Sequence, residues 1–137
     1  MAEGRPPLSA ELAWSGHLRF SATSGSNTIV VDGDSVVGPS PVQVVAFGLA
    51  GCMATDVVDI LEKGRHGLTA LRVSFSGERA AEPPRRFLRI TLRFDLSGPV
   101  PREAVERAIA LSRDKYCSVW HSMNPDIELV TTAHVQE

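Results

Sequence analysis

The chain has 137 residues, of which 43% are hydrophobic and 22% are charged, so its composition predicts one folded domain with an ordinary core. Fourteen Lys and Arg residues against 16 Asp and Glu residues give a net charge of −2, which argues against nucleic acid as a partner. Two cysteines are too few for a disulfide scaffold but sufficient for one redox pair.

The N-terminal residues 1–10 are expected to form a flexible arm, and they lack the apolar segment of a signal peptide. The longest apolar run, residues 44–54, is shorter than the roughly 20 residues that a membrane span needs. We therefore expect a cytoplasmic protein with no membrane partner, in which free thiols stay reduced. Residues 1–137 are expected to form a single domain.

The first regular elements are predicted to be strands. Apolar and polar residues alternate from Leu12 to Ala22, as in a half-buried strand. A turn at residues 24–27 precedes a second strand at residues 28–32. A short third strand is expected at Val36 and Val37.

A long helix is predicted from Pro41 to Lys63, followed by Gly64. Ser40 before Pro41 and Gln43 three residues after Ser40 form the pattern of a capping box. The first half of this helix is apolar on every side, so we expect it to be buried all round. One sheet can cover only one side, and the other side needs a second helix, a partner subunit or both, which favours a homodimer.

The remaining pattern predicts two strands at residues 71–78 and 88–96 that form a hairpin. An amphipathic helix follows from Pro101 to Leu111, with a break around residues 115–118 and a closing strand at residues 127–135. The order of strands, long helix, two strands, helices and strand indicates the α+β class.

The two cysteines occupy different local settings. Cys52 lies within the long helix, where a buried cysteine usually acts as a small hydrophobic side chain. Cys117 lies at the predicted helix break, where backbone N–H groups at a helix start favour a thiolate. Both cysteines together with His121 make only a weak zinc pattern, so no metal site is expected.

Three segments of the sequence resemble the OsmC/Ohr family of osmotically inducible and organic hydroperoxide resistance proteins, in its OsmC-like branch. They read SPVQVVAFGLAGC at residues 40–52, DVVDIL at residues 56–61 and KYCSV at residues 115–119. Residues 77–84 fit the same pattern, and the resemblance runs from Leu12 to the end of the chain.

The resemblance implies an intertwined α+β homodimer with antiparallel sheets around a long, buried central helix. It also implies a peroxidase of organic hydroperoxides in which Cys52 attacks the peroxide and becomes a sulfenic acid. Cys117 then resolves that sulfenic acid as a disulfide, and a dithiol or lipoyl-type reductant restores the two thiols. No cofactor is implied.

The family's activating Arg and Glu are replaced here by Asp32 and Val42. Arg19 or Arg79 is the candidate to take over the role of that arginine. Gln43 matches a polar family position, although its capping role is an alternative explanation. The residues expected to contact substrate are Gln43, Phe47, Tyr116 and Arg79.

An alternative function is a homodimer of the same fold that binds a small apolar ligand or metabolite and uses neither cysteine. Mild peroxide treatment separates the two functions, because only the peroxidase forms a disulfide between Cys52 and Cys117. A structural subunit of a redox complex is a third possibility that only the predicted interface favours.

Overall fold

The computed structural model describes residues 4–136, and its chain divides after Val45 into two compact units. The α+β class is confirmed. In chain order, the elements are β1 (Glu11–Gly16), β2 (Arg19–Ser24), β3 (Asn27–Asp32), α1 (Pro41–Lys63), β4 (Ala70–Arg79), β5 (Phe87–Ser97), α2 (Arg102–Leu111), a π-helical turn (Ser112–Tyr116), α3 (Ser118–His121) and β6 (Glu128–Gln136).

The first unit holds the antiparallel sheet β1-β2-β3. The prediction of one continuous strand from Leu12 to Ala22 is wrong, because the chain reverses between β1 and β2. Gly16 and His17 make that turn at φ values of 109° and 50°. Trp14 pairs with Phe20 across the hairpin, so apolar side chains stay on the same face before and after the turn. The alternation of apolar and polar residues therefore gives no sign of the turn.

One face of this sheet is apolar, and part of that face is exposed within its unit. Leu12 is 58% exposed and Trp14 is 69% exposed, so the predicted half-burial of this segment is also wrong for the lone chain. The strand register places six apolar side chains on this face: Leu12, Trp14, Phe20, Ala22, Ile29 and Val31.

The segment after β3 is a loop built around one buried carboxylate. Asp32 accepts hydrogen bonds from the backbone N–H groups of Asp34, Val36 and Val37 at 2.9, 3.2 and 3.0 Å. Val36 and Val37 therefore lie in a bend, and the third strand expected at these two residues is wrong. The hydrogen bonds from Val37 and Asp34 are the leading causes of a lowered pKa for Asp32, and Arg19 at 3.5 Å adds to them.

Residues 4–10 carry no regular structure and are exposed, although Ser24 Oγ donates a hydrogen bond to the backbone oxygen of Ser9. Residues 1–3 of the predicted arm lie outside the described residues.

The capping box at the start of α1 is confirmed. Ser40 Oγ accepts from the Gln43 N–H at 3.2 Å, and Gln43 Oε1 accepts from the Ser40 N–H at 2.9 Å. The helix ends at Lys63 as predicted, but the left-handed residue after it is Arg65 (φ 58°) rather than Gly64.

Replacing Ser40 by Ala removes the acceptor for the Gln43 N–H. We expect the free energy of unfolding to fall by about 1 kcal/mol, as for other lost N-caps. Urea denaturation of wild type and Ser40→Ala measures this change. An unchanged midpoint would mean that solvent satisfies this helix end equally well.

The core of the second unit forms between α1 and the sheet β4-β5-β6. One stripe of the helix is fully buried there, because residues spaced by four share a face. This stripe consists of Leu49, Met53, Val57 and Leu61. The expectation of burial all round is thus wrong for the lone chain, in which Phe47 remains 64% exposed.

The predicted hairpin of β4 and β5 is confirmed, with Phe75 paired to Leu92. The last strand differs from the expectation of purely antiparallel sheets, because β6 runs parallel to β5. The helices between β5 and β6 supply the long crossover that a parallel pair requires.

The helix α1 satisfies the length and composition of a membrane span, with a mean hydropathy of 1.8 over its most apolar window. This differs from the expectation that every apolar segment is too short. A core helix has the same signature, and the buried stripe of α1 belongs to the core of the second unit.

Candidate functional site

The Cys52 thiol is presented by the middle of α1. Met53, the next residue, belongs to the buried stripe, so Cys52 is displaced around the helix and is only half-buried. Its side chain packs against the core cluster, and the cysteine is free of a disulfide. The helix thus holds one reduced thiol at the edge of the core.

A π-helical turn presents Cys117. The N–H of Cys117 donates to Ser112 O at 2.8 Å, five residues back, and this bond closes the turn. The backbone of Cys117 is then extended (φ −72°, ψ 101°) and starts α3. Such turns inside helices recur at functional sites. The break predicted around residues 115–118 is therefore confirmed.

The Cys117 thiol is fully buried, with 0% of the residue exposed. Burial is the leading cause that raises the pKa of Cys117 to about 11, because an apolar surrounding does not solvate a thiolate. The Trp120 N–H donates to Cys117 Sγ at 3.3 Å and opposes this rise in the pKa. The expectation that the helix start favours a Cys117 thiolate is therefore wrong, since burial outweighs it.

The structure brings the two cysteines together in the second unit. Hydrogen bonding and charge at Cys52 are further causes of the raised pKa of Cys117, so the two thiols are near enough to influence each other. The two cysteines lie 65 positions apart in the sequence, and the core cluster contains Cys117 with Cys52 packed against it. The fold therefore brings the two cysteines into one region of the second unit.

We predict that iodoacetamide alkylates Cys52 before Cys117. A pKa of about 11 leaves Cys117 with about 100-fold less thiolate at neutral pH than an ordinary thiol. The rate at Cys117 should rise with pH from 7 toward 10, since the thiolate is the reacting form. Peptide mass spectrometry measures both rates, and equal labelling at pH 7.5 would contradict the assignment.

A polar contact joins the elements that carry the two cysteines. Asp56, one helical turn after Cys52, accepts a hydrogen bond from Ser112 Oγ at 2.7 Å. Asp59, three residues further along the helix, pairs with Lys63 at 2.9 Å. Asp56 was missed because its partner lies 56 residues away in the sequence.

His121 does not complete a metal site with the cysteines. Its ring Nε2 donates to the backbone oxygen of Arg113 at 2.9 Å, within the same segment. Among residues 4–136, no three His, Cys, Asp or Glu side chains gather where they could hold a metal ion.

The expected substrate residues are spread over several places. Gln43 Oε1 accepts hydrogen bonds from the Ser40 N–H and from Ser35 Oγ, which supports its role in capping α1. Tyr116 is half exposed, with Lys115 Nζ at 5.3 Å from its ring centre. Arg79 donates to the backbone oxygen of Arg85 at 2.9 Å.

Phe47 lies on an open groove of about 710 Å³ between α1 and β4. Gly51, next to Cys52, also lines this groove. The other lining residues are Ala50, Ala54, Thr55, Val58, Asp59, Glu62, Leu71 and Val73. Most of these side chains are apolar, so the groove suits an organic group rather than an ion.

An arginine of the first unit, Arg19, lies close to Asp32. Asp32 stands where the family pattern has an arginine, and Arg19 Nε lies 3.5 Å from its carboxylate. Among the described residues, no arginine forms a hydrogen bond or ion pair with Cys52 in this chain.

Comparison with known proteins gives a consistent family signal. The family model described as OsmC-like protein matches residues 32–132. Protein YhfA of Escherichia coli strain K12 is 41% identical over 115 residues, which cover 82% of this chain and 86% of that protein.

Two solved structures share the fold over nearly the whole chain. A hypothetical protein from Aquifex aeolicus VF5 has a TM-score of 0.90 and 25% identity, covering 97% of this chain and 99% of that one. An organic hydroperoxide resistance protein OsmC from Legionella pneumophila has a TM-score of 0.70 over 96% of this chain and 98% of that one. At 13% identity, this second likeness concerns the fold alone.

Proposed function

Because the chain belongs to the OsmC-like protein family, we propose that it is a thiol-dependent peroxidase that reduces organic hydroperoxides with Cys52 and Cys117. The observation that carries this proposal is that two free thiols lie in one core region, one half-buried and one fully buried. The organic hydroperoxide resistance protein of the same fold supports the choice of substrate class.

In the first step, the Cys52 thiolate attacks the terminal oxygen of the hydroperoxide. An S–O bond forms and the O–O bond breaks, so the peroxide is reduced and leaves as an alcohol after taking a proton. Cys52 is oxidised to a sulfenic acid. A half-buried thiol suits this role because the peroxide must reach the sulfur.

In the second step, Cys117 attacks the sulfur of the Cys52 sulfenic acid. An S–S bond forms, the S–O bond breaks, and the leaving hydroxide takes a proton and becomes water. With a pKa of about 11, Cys117 holds its own proton at neutral pH and supplies it to that hydroxide. A dithiol or lipoyl-type reductant then exchanges with the disulfide and restores both thiols.

The groove between α1 and β4 is the proposed binding site for the organic part of the hydroperoxide. Phe47 and the apolar residues around Gly51 would contact that group. Tyr116, Arg79 and Gln43 stay predictions as substrate contacts, and Gln43 and Arg79 already have the backbone contacts described above. We further propose a cytoplasmic location, where a peroxidase thiol stays reduced between turnovers.

We also propose that a second copy of this chain completes the site. Each unit by itself exposes a large apolar surface: the sheet face with Trp14 in the first, and the groove with Phe47 in the second. Monomeric proteins rarely expose contiguous apolar patches of this kind. A homodimer would cover both surfaces and close the groove around a substrate.

The alternative is a dimer of the same fold that binds a small apolar ligand without chemistry. The open apolar groove is the observation that favours it. Turnover separates the two functions: we expect wild-type protein to consume cumene hydroperoxide when dithiothreitol or dihydrolipoamide is supplied. Absence of turnover with both reductants, in protein shown to have two reduced thiols, would favour the binding function.

A further inference from the structure

The position of Cys117 depends on the backbone around it. The Cys117 N–H bonds to Ser112 O, so Ser112 sets the place of the cysteine in the π-helical turn. A regular α-helix would instead direct this N–H to Arg113 O, four residues back. Any contact that holds Ser112 therefore also holds Cys117.

Ser112 is in turn attached to the helix that carries Cys52. It is fully buried, and its hydroxyl donates to Asp56 Oδ2 at 2.7 Å. Asp56 lies four residues after Cys52, so the two side chains project on neighbouring parts of one helix face. The chain of contacts thus runs from the helix of Cys52 through Asp56 and Ser112 to the backbone of Cys117.

We propose that Asp56 and Ser112 are positioning residues that hold Cys117 against Cys52 for disulfide formation, an inference that rests on the proposed two-cysteine function. The surrounding core is apolar and gives contacts without a preferred direction. A short hydrogen bond to a carboxylate is directional, and it is stronger than one between neutral groups. The hydrogen bond between Ser112 and Asp56 therefore restrains the position of the π-helical turn relative to α1.

The inference is tested on the disulfide equilibrium, which requires no peroxide. Reduced protein is equilibrated with mixtures of reduced and oxidised dithiothreitol, and the fraction with a Cys52–Cys117 disulfide is measured by mass spectrometry. Wild type is compared with Ser112→Ala, Asp56→Ala and the conservative Asp56→Asn. Ser122→Ala is the matched control, since Ser122, at the end of α3, donates its hydroxyl to Ser118 O at 2.7 Å.

We expect Ser112→Ala and Asp56→Ala to lower the equilibrium constant for the disulfide by about tenfold. That change corresponds to a reduction potential about 30 mV less negative. Asp56→Asn keeps an oxygen acceptor and should recover most of the loss. The double variant Asp56→Ala with Ser112→Ala should lose no more than either single variant, because both remove the same contact.

Equal equilibrium constants for Ser112→Ala and Ser122→Ala would overturn the inference, as would a wild-type protein that forms no disulfide with oxidised dithiothreitol. Thermal unfolding of each variant shows whether the substitution also changes the stability of the fold. If Asp56→Asn restores the disulfide equilibrium constant while its stability equals that of Asp56→Ala, the effect is one of positioning. A wild-type disulfide that responds to these variants, in a protein without peroxide turnover, would refute the proposed function and leave the positioning role intact.

Discussion

Replacing Cys52 by Ser should lower the rate of cumene hydroperoxide turnover with dithiothreitol by at least about 1,000-fold. A serine hydroxyl is almost never ionised at neutral pH, and its oxygen cannot be oxidised to a sulfenic acid and returned by a thiol. The substitution changes one atom in a half-buried side chain, so the fold should persist. Peroxide consumption followed by a colorimetric assay measures the effect.

Cys117→Ser is the matched control for this experiment. When dithiothreitol is left out, this variant should keep the first step, so one equivalent of hydroperoxide is consumed and a sulfenic acid persists on Cys52 for trapping by dimedone. Cys52→Ser should show neither result. Equal consumption by wild type and Cys52→Ser would contradict the assignment of Cys52 as the attacking thiol.

Replacing Trp14 by Arg should weaken the proposed homodimer by at least about 100-fold. Trp14 is 69% exposed in the single chain and sits on the apolar face of the first sheet. Its indole Nε1 donates to His17 O at 2.8 Å within the hairpin, so its exposed ring is free to be covered by a partner. Burying an arginine on that face would leave its charge without a partner.

Ala13→Arg is the control, because Ala13 is also exposed but alternation places it on the opposite face of β1. Analytical ultracentrifugation should give a dimer for wild type and Ala13→Arg, and a monomer or an unfolded chain for Trp14→Arg. A wild-type protein that sediments as a stable, folded monomer would refute the homodimer.

The features that could be predicted from sequence are those with local causes. The capping box depends on Ser40 and Gln43, three residues apart, and the start and end of α1 follow the prediction. The hairpin of β4 and β5 depends on alternation within each strand. The turn between β1 and β2 was missed because apolar side chains stay on one face across it.

The features that could not be predicted depend on the packed chain. The prediction that Cys52 and Cys117 act together came from the family resemblance. The local pattern of residues gave no reason to place the two thiols near each other. The predicted direction of the pKa shift at Cys117 was wrong, because burial is decided by tertiary packing. The helix start, by contrast, is visible in the local sequence. The contact between Asp56 and Ser112 and the parallel pairing of β6 have the same non-local origin.

The most direct test of the central claim is the mass of the protein after one equivalent of cumene hydroperoxide. The account predicts a loss of two hydrogens, with a peptide map that links Cys52 to Cys117 in the same chain. Protein that keeps two free thiols under these conditions, or that is linked only between chains, would contradict it.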